Sequence, residues 1–189
     1  MRLFFAVEFD DSLKDAVVRA IDGIGIQNPP WRWVVRANLH VTLKFLGETP
    51  DDRVDAVIDS VASACRDTPP FEIALGGLGG FPNLRRPRVL FYRVTNGADA
   101  LTSLAEHVEA ALLHDLSIPK ERRAFRAHGT VARIKRPLPN GITERLERAP
   151  DVEYPAQSVE KVSLMRSELR REGAVYRLVK GIALAKPKC

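Results

Sequence analysis

The stretch NLHVTLKFLGE, residues 38–48, alternates apolar and polar side chains. The apolar positions are Leu39, Val41, Leu43 and Phe45. The positions that alternate with them carry His40, Thr42 and Lys44. This period of two predicts a β-strand, because successive side chains of a strand point to opposite faces of the sheet. We therefore expect the apolar set to face a core and the polar set to line the opposite face.

A second stretch, RAHGTVARIK at residues 126–135, repeats the spacing with His128 and Thr130. A single His-x-Thr strand is most often an ordinary half-exposed pair. Here each copy follows a predicted helix and precedes another helix and a hairpin, so the order of elements recurs along the chain. This recurrence predicts an internal duplication with two pseudo-symmetric lobes, and it favours a functional role for both motifs.

Hydrophobic periodicity predicts the elements around the motifs. We expect a strand over residues 2–9 and helices from Asp11, from Pro50 to about residue 66, over 97–116 and near 140–148. The segments FEIALGGLGGF and RPRVLFYRVT predict one hairpin. The segment VEKVSLMRSELRREGAVYRLVKGIALA predicts another, with its turn near Arg171-Glu172-Gly173.

Two further stretches have structural interpretations. The glycine run GGLGGF at 76–81 lacks the GxxxxGKS or GxxxxGKT pattern of a phosphate loop, so a turn or bulge is expected. The WRW segment at 31–33 is expected to be a packed loop, with stacking on a nucleobase as the alternative.

The composition is that of an ordinary globular protein, with 45% hydrophobic and 28% charged residues among 189. Its longest apolar runs fall below the roughly 18–20 residues that span a bilayer, and acidic residues interrupt the N-terminus by position 8. We therefore expect a cytoplasmic protein with no membrane partner. The net charge of +5, with basic clusters at 120–136 and 161–180, favours an anionic partner such as RNA or a nucleotide.

The cysteines, and the two histidines outside the motifs, do not form the ligand pattern of a metal site. Cys65 and Cys189 are the cysteines of the chain, and neither has a second cysteine at ligand spacing. His107 and His114 lie seven residues apart in a predicted helix and are expected on its surface. We therefore expect no metal site and no cofactor.

The two motifs have the residue types that cleave a phosphodiester. If the strands face one another across a groove between lobes, two imidazoles with unperturbed pKa near 6.5 share a pocket, and one is neutral while the other is protonated. The neutral ring then activates the attacking oxygen and the protonated ring protonates the leaving oxygen. Each threonine hydroxyl, in phase with its histidine, can donate to a phosphate oxygen.

HVTLKFLGE and HGTVAR resemble the paired HxTx motifs of the two-histidine phosphoesterase superfamily. The chain is most similar there to the RNA 2′,3′-cyclic phosphodiesterases, the LigT-like proteins first described as 2′-5′ RNA ligases, over nearly its whole length. The resemblance implies an α+β fold of two pseudo-symmetric lobes, each an antiparallel β-sheet backed by helices, with the active site in a central cleft. The approximate lobes are residues 1–95 and 96–189 of a single bilobal domain, and strands can be exchanged between them.

The resemblance also implies the activity and the roles of the residues. The reaction is hydrolysis of an RNA 2′,3′-cyclic phosphate end to a 2′-phosphate, and relatives also join or cut 2′-5′ linkages. His40 is implied as the proton donor and His128 as the proton acceptor. Thr42, Thr130 and Arg133 are implied as the phosphate-binding residues.

The position of Arg133 depends on the regularity of its strand. It lies five residues after His128, and this odd parity sends its side chain to the opposite face unless the strand ends or bulges. Arg126 and Lys44, in phase with their histidines, are the alternatives, and Phe4 either lines the cleft or packs in the core. Gly129 stands where many relatives have a bulky apolar residue, but it leaves histidine and threonine in phase.

Two other functions stay open on the sequence. One is a catalytically silent module that binds RNA ends through the same cleft. The other is a phosphodiesterase for small cyclic nucleotides, such as ADP-ribose derivatives, or for 2′-5′ oligonucleotides. No obligate protein partner is indicated, and a monomer is expected.

Overall fold

The computed structural model describes residues 1–139, 141–150, 154–171 and 173–185. Its strands are β1 (Arg2–Glu8), β2 (His40–Glu48), β3 (Phe71–Phe81), β4 (Val89–Asn96), β5 (His128–Arg133), β6 (Gln157–Val159), β7 (Lys161–Arg170) and β8 (Gly173–Ala183). Its α-helices are α1 (Asp11–Gly23), α2 (Val54–Cys65), α3 (Ala98–Leu116) and α4 (Ile142–Glu147). Glu172, in the predicted turn of the last hairpin, and Cys189 lie outside the described residues.

The first helix begins where its sequence provides a cap. The side chain of Asp10 accepts a hydrogen bond from the main-chain N–H of Leu13 at 2.8 Å, which satisfies a donor that the helix cannot pair internally. The predicted second helix begins less directly, because residues 51–53 form a 3₁₀ turn before α2. In the part of the chain that the structure describes, we find no helix with the length and apolar character needed to cross a membrane.

All strand pairs are antiparallel, and the order of the sheet is β6-β3-β4-β5-β2-β1-β7-β8. The two motif strands, β2 and β5, are therefore neighbours within one sheet. They pair along this sheet through Val41 and Gly129, whereas the sequence led us to suppose that they face one another across a groove between lobes. The hairpin β3–β4 continues the sheet from β5, and the hairpin β7–β8 continues it from β1.

The helices contribute to one core on a single face of the sheet. Leu3, Phe5 and Val7 of β1 pack in this core together with the buried residues of all four helices. Phe4 and Ala6 point to the other face, where they form a small separate cluster with Met165. The fold is thus an α+β fold in which a curled antiparallel sheet is backed by helices.

Strand β2 departs from regular alternation at Leu43. Thr42 pairs with Ala6 and Lys44 pairs with Phe5, so two steps along β2 oppose one step along β1. This β-bulge reverses the parity of the residues that follow it. The reversal leaves Lys44 3% exposed and Phe45 52% exposed, so the predicted orientations of these two side chains are wrong.

Lys44 is buried beside α3 instead of lining the face that carries His40. Its Nζ donates to Glu109 Oε1 at 2.8 Å and to the carbonyl oxygen of Pro119 at 2.7 Å. The main-chain N–H of Glu121 donates to the same Glu109 oxygen at 2.8 Å. The ion pair therefore fixes the segment after α3, which leads to the second motif, against β2.

Candidate active site

The register between the motif strands brings their polar side chains together. Strand β2 pairs with β5 through Val41 and Gly129. In an antiparallel pair with this register, His40 lies beside Thr130 and Thr42 lies beside His128, all on the face opposite to Val41. Each threonine is thus the neighbour of the histidine from the other motif.

The two imidazoles are held in the same tautomer. His40 Nδ1 lies 2.7 Å from the carbonyl oxygen of Asn38, and His128 Nδ1 lies 2.5 Å from that of Arg126. Because a carbonyl oxygen only accepts, each Nδ1 carries a hydrogen and donates it. In the neutral rings Nε2 is therefore the nitrogen with the free lone pair, and Thr42 Oγ1, at 2.9 Å, donates to that of His40.

Burial is the largest influence on both imidazoles, and it lowers the pKa of each, because it disfavours the charged ring. The hydrogen bonds to the main-chain carbonyls oppose it, and the negative charge of Glu8 also raises the pKa of His40. The positive charge of Arg133 lowers the pKa of both rings further. At neutral pH the lowered pKa values therefore favour the neutral form of both histidines.

Arg133 reaches the histidine face because β5 also bulges. Thr130 pairs with Phe91 and Ala132 pairs with Leu90, so Val131 is the additional residue. The carbonyl oxygen of Val131 accepts from the main-chain N–H of Val34 at 2.7 Å. After the bulge the parity reverses, and Arg133 returns to the side of His128. From the sequence, Arg133 was expected on the histidine face only if its strand ended or bulged, and the strand does bulge.

The two motif strands are alike beyond their histidines. Each bulges at the fourth residue of its motif, and the next residue, Lys44 or Ala132, is buried. The sixth positions, Phe45 and Arg133, return to the histidine face. We did not predict Phe45 as a site residue, although superposing HVTLKF on HGTVAR pairs it with Arg133.

Aromatic rings surround each imidazole and account for much of its burial. Phe4 and Tyr176 have ring centroids 5.2 Å and 5.4 Å from that of His40. Phe81 and Phe91 lie 5.0 Å and 5.2 Å from His128. Phe4 lies on the histidine face, where it is buried in the small cluster with Ala6 and Met165. The three other rings come from the hairpins β3–β4 and β7–β8, and no local motif marks them.

Glycine at position 129 is required by the packing on the core face. A Cβ atom there would lie 2.7 Å from the ring of Phe9. The strand stays regular from His128 to Thr130, so both side chains remain on one face. In the predicted bulge of the glycine run, the register shifts between Leu75 and Leu78, which confirms that interpretation.

The structure also gives the positions of Arg126, of the WRW segment and of the two histidines outside the motifs. The guanidinium carbon of Arg126 lies 5.7 Å from the centroid of the Phe81 ring, next to His128, so this residue borders the site. Trp31 is buried in the core and packs edge-on against Trp33 at 5.4 Å, which confirms a packed loop. His107 and His114 are exposed on α3, as predicted.

Within residues 1–139, 141–150, 154–171 and 173–185, no three His, Cys, Asp or Glu side chains are grouped so that they could hold a metal ion. Cys65 is buried in the core, and burial raises its pKa to about 11. The polar groups that the two motif strands place on the histidine face are two imidazoles, two hydroxyls and a guanidinium.

Comparison with known proteins places these features in a family. The family model for LigT-like phosphoesterases matches residues 7–91 and 94–176. An RNA 2′,3′-cyclic phosphodiesterase of Aquifex aeolicus is 36% identical over 148 residues, which are 78% of this chain and 79% of the relative. One from Methanothermobacter thermautotrophicus is 32% identical over 177 residues, which are 93% of this chain and 95% of the relative.

Solved structures show the same fold. The crystal structure of a Thermus thermophilus protein has a TM-score of 0.83 and 32% identity, with 100% of both chains covered. Escherichia coli LigT complexed with 3′-AMP has a TM-score of 0.74 at 23% identity, with 97% of this chain and 96% of that chain covered.

Proposed function

Because the chain belongs to the LigT-like phosphoesterase family, we propose that it hydrolyses RNA 2′,3′-cyclic phosphate ends to 2′-phosphate ends. One observation carries the proposal. Two His-x-Thr motifs lie side by side on adjacent strands, and each presents an Nε2 that can exchange a proton. The positive charge around the second motif complements an anionic substrate.

In the proposed reaction the oxygen of a water molecule attacks phosphorus and the bond from phosphorus to the 3′ oxygen breaks. His128 Nε2 takes the proton of the water, and His40 Nε2 gives its proton to the departing oxygen. The surroundings support this division of roles. Glu8, the β1 partner of His40, carries a charge that favours protonated His40, and Ser163 Oγ donates to Glu8 Oε2 at 2.6 Å.

The phosphate binds between the two motifs in this proposal. Thr42 and Thr130 donate hydrogen bonds to its oxygens, and Arg133 neutralises the negative charge that grows at phosphorus. The bound anion also raises the pKa of both histidines, so His40 gains its proton when substrate enters. Arg126, above Phe81, is a second cation at the border of the site.

The test is turnover of an oligoribonucleotide that ends in a 2′,3′-cyclic phosphate, measured in EDTA with the product end mapped. We expect a 2′-phosphate and no dependence on added metal. A preparation of the double variant His40→Ala/His128→Ala controls for contaminating nucleases. Failure of the wild-type protein to turn over, loss of activity in EDTA, or a 3′-phosphate product contradicts the proposal.

A catalytically silent RNA-end-binding module is the less favoured alternative, because binding alone does not require two titrating imidazoles. Comparing kcat/KM for the RNA end, a cyclic mononucleotide and a 2′-5′ dinucleotide identifies the preferred leaving group. A cytoplasmic location and a monomeric state belong to the proposal as well, and size-exclusion chromatography with light scattering tests the second.

A further inference from the structure

A basic groove lies beside the second motif. It is a cavity of about 1100 Å³ between the segment that precedes β4 and the segment that follows β5. Its cationic lining consists of Arg85, Arg86, Arg88, Arg133, Lys135 and Arg136. Among the described residues that line it, Glu144 is the one carboxylate. The groove is therefore a concentrated positive surface.

The groove adjoins the proposed active site at Arg133. Arg133 lines the groove and also acts electrostatically on both histidines. The two segments that form its walls are joined where β4 pairs with β5. Val89 pairs with Arg133, and the main-chain N–H of Ile134 donates to the carbonyl oxygen of Arg88 at 2.9 Å. A ligand bound in the groove thus lies next to Arg133, at the border of the histidine face.

We infer that this groove binds the phosphates of the RNA strand on the 5′ side of the cyclic end, an inference that rests on the proposed function. A cyclic phosphate occupies the 3′ end, so the strand can leave the site only in the 5′ direction. The volume exceeds the range of about 300–1,000 Å³ that is usual for pockets of small ligands. Its cations match successive phosphates, and Pro137, Leu138 and Pro139 offer apolar contacts for sugars and bases.

The experiment measures binding of a fluorescein-labelled RNA of about ten nucleotides that ends in a 3′-phosphate, over a range of salt concentrations. The groove variant is Arg86→Gln/Lys135→Gln/Arg136→Gln. The control variant Arg19→Gln/Arg66→Gln/Lys180→Gln removes three exposed cations from α1, the end of α2 and β8. Turnover of the same RNA with a cyclic end and of uridine 2′,3′-cyclic phosphate is measured in parallel.

We expect the groove variant to bind the RNA about tenfold more weakly than the control variant. The slope of log affinity against log salt falls by about 2, because each lost phosphate contact on a single strand removes about 0.7. The ratio of kcat/KM for the cyclic-ended RNA to that for the cyclic mononucleotide falls by a similar factor of ten.

Equal RNA binding by the two variants overturns the inference, whether or not the wild-type protein is active. An equal loss of kcat/KM on RNA and mononucleotide also overturns it, because it indicates a disturbed active site. Tighter binding of a polyglutamate peptide than of RNA overturns it in favour of an acidic protein partner. RNA binding that depends on the groove, without any turnover, contradicts the proposed function and supports the groove.

Discussion

The Nδ1 atoms of His40 and His128 each donate to a carbonyl oxygen two residues earlier in the chain. The rings are therefore fixed alike, and their orientation does not distinguish an acid from a base. The difference comes from neighbouring charges, since Glu8 raises the pKa of His40. In the proposed mechanism, the roles of the two histidines therefore depend on electrostatics.

Removing either imidazole separately tests their shared role. We expect His40→Ala and His128→Ala each to lower kcat by about 10²–10⁴, the usual contribution of a general acid or base. His107→Ala, which removes an exposed histidine from α3, serves as the control and retains wild-type kcat. Near-wild-type kcat in either active-site variant contradicts the paired mechanism.

The charge of Glu8 is tested through the pH dependence of kcat/KM, which reports the pKa values of the free enzyme. Glu8→Gln removes a charge that raises the pKa of His40, so that pKa falls. Since His40 must be protonated to act as the acid, we expect the alkaline limb of the profile to move to lower pH. The acidic limb, which reports the base His128, stays in place.

Ser163→Ala is the matched control for this shift. It removes the hydrogen bond to Glu8 Oε2 but keeps the carboxylate charge, so the alkaline limb remains closer to that of the wild type. Movement of the acidic limb in Glu8→Gln instead would assign the acid role to His128.

The bulges of β2 and β5 decide which side chains reach the site. The alternation in the sequence was sufficient to place His40, Thr42, His128 and Thr130 on one face. It failed at Lys44 and Phe45 because a bulge arises from the register with a partner strand, which the alternation of one strand does not contain. For the same reason, the sequence could not decide on which face of the sheet Arg133 lies, because that depends on the presence of a bulge.

The buried ion pair of Lys44 and Glu109 joins β2 to α3, and we expect it to contribute to the stability of the fold. Lys44→Met leaves a carboxylate that is 17% exposed without its cation. We expect the free energy of unfolding to fall by up to about 3–5 kcal/mol, the usual cost of removing one partner of a buried pair. Urea denaturation measures this change.

The double variant Lys44→Met/Glu109→Gln is the control for that prediction. It removes the unpaired charge and keeps an acceptor for the main-chain N–H of Glu121, so it recovers most of the lost stability. Lys180→Met, at an exposed site of β8, leaves stability within about 0.5 kcal/mol of the wild type. Equal losses in the single and double variants contradict the ion-pair explanation.

The sheet as a whole could be predicted only in part. Periodicity located the helices and the hairpins, because each is determined by residues near one another in sequence. The order of the strands depends on pairing between distant segments, which no local pattern contains. The aromatic rings around the histidines could not be predicted for the same reason. The order of the strands brings Tyr176, Phe81 and Phe91 to the site from distant segments of the chain.

Strand pairing across the two halves predicts how fragments behave. Cutting the chain after Asn96 separates β4 from β5 and β1 from β7, so each fragment loses neighbours in the sheet. We expect each fragment alone to lack dispersed NMR amide signals and activity, and the mixture to regain both. Two fragments that fold separately would instead support independent lobes at 1–95 and 96–189.

The pairing of β1 with β7 also sets the order of events during synthesis. Leu3 pairs with Arg166, so the first strand made waits for nearly the whole chain before its second edge is covered. At ~5–20 residues per second, that wait is on the order of 10 s. During this time the nascent chain exposes the uncovered edge of an apolar strand, which can pair with another chain.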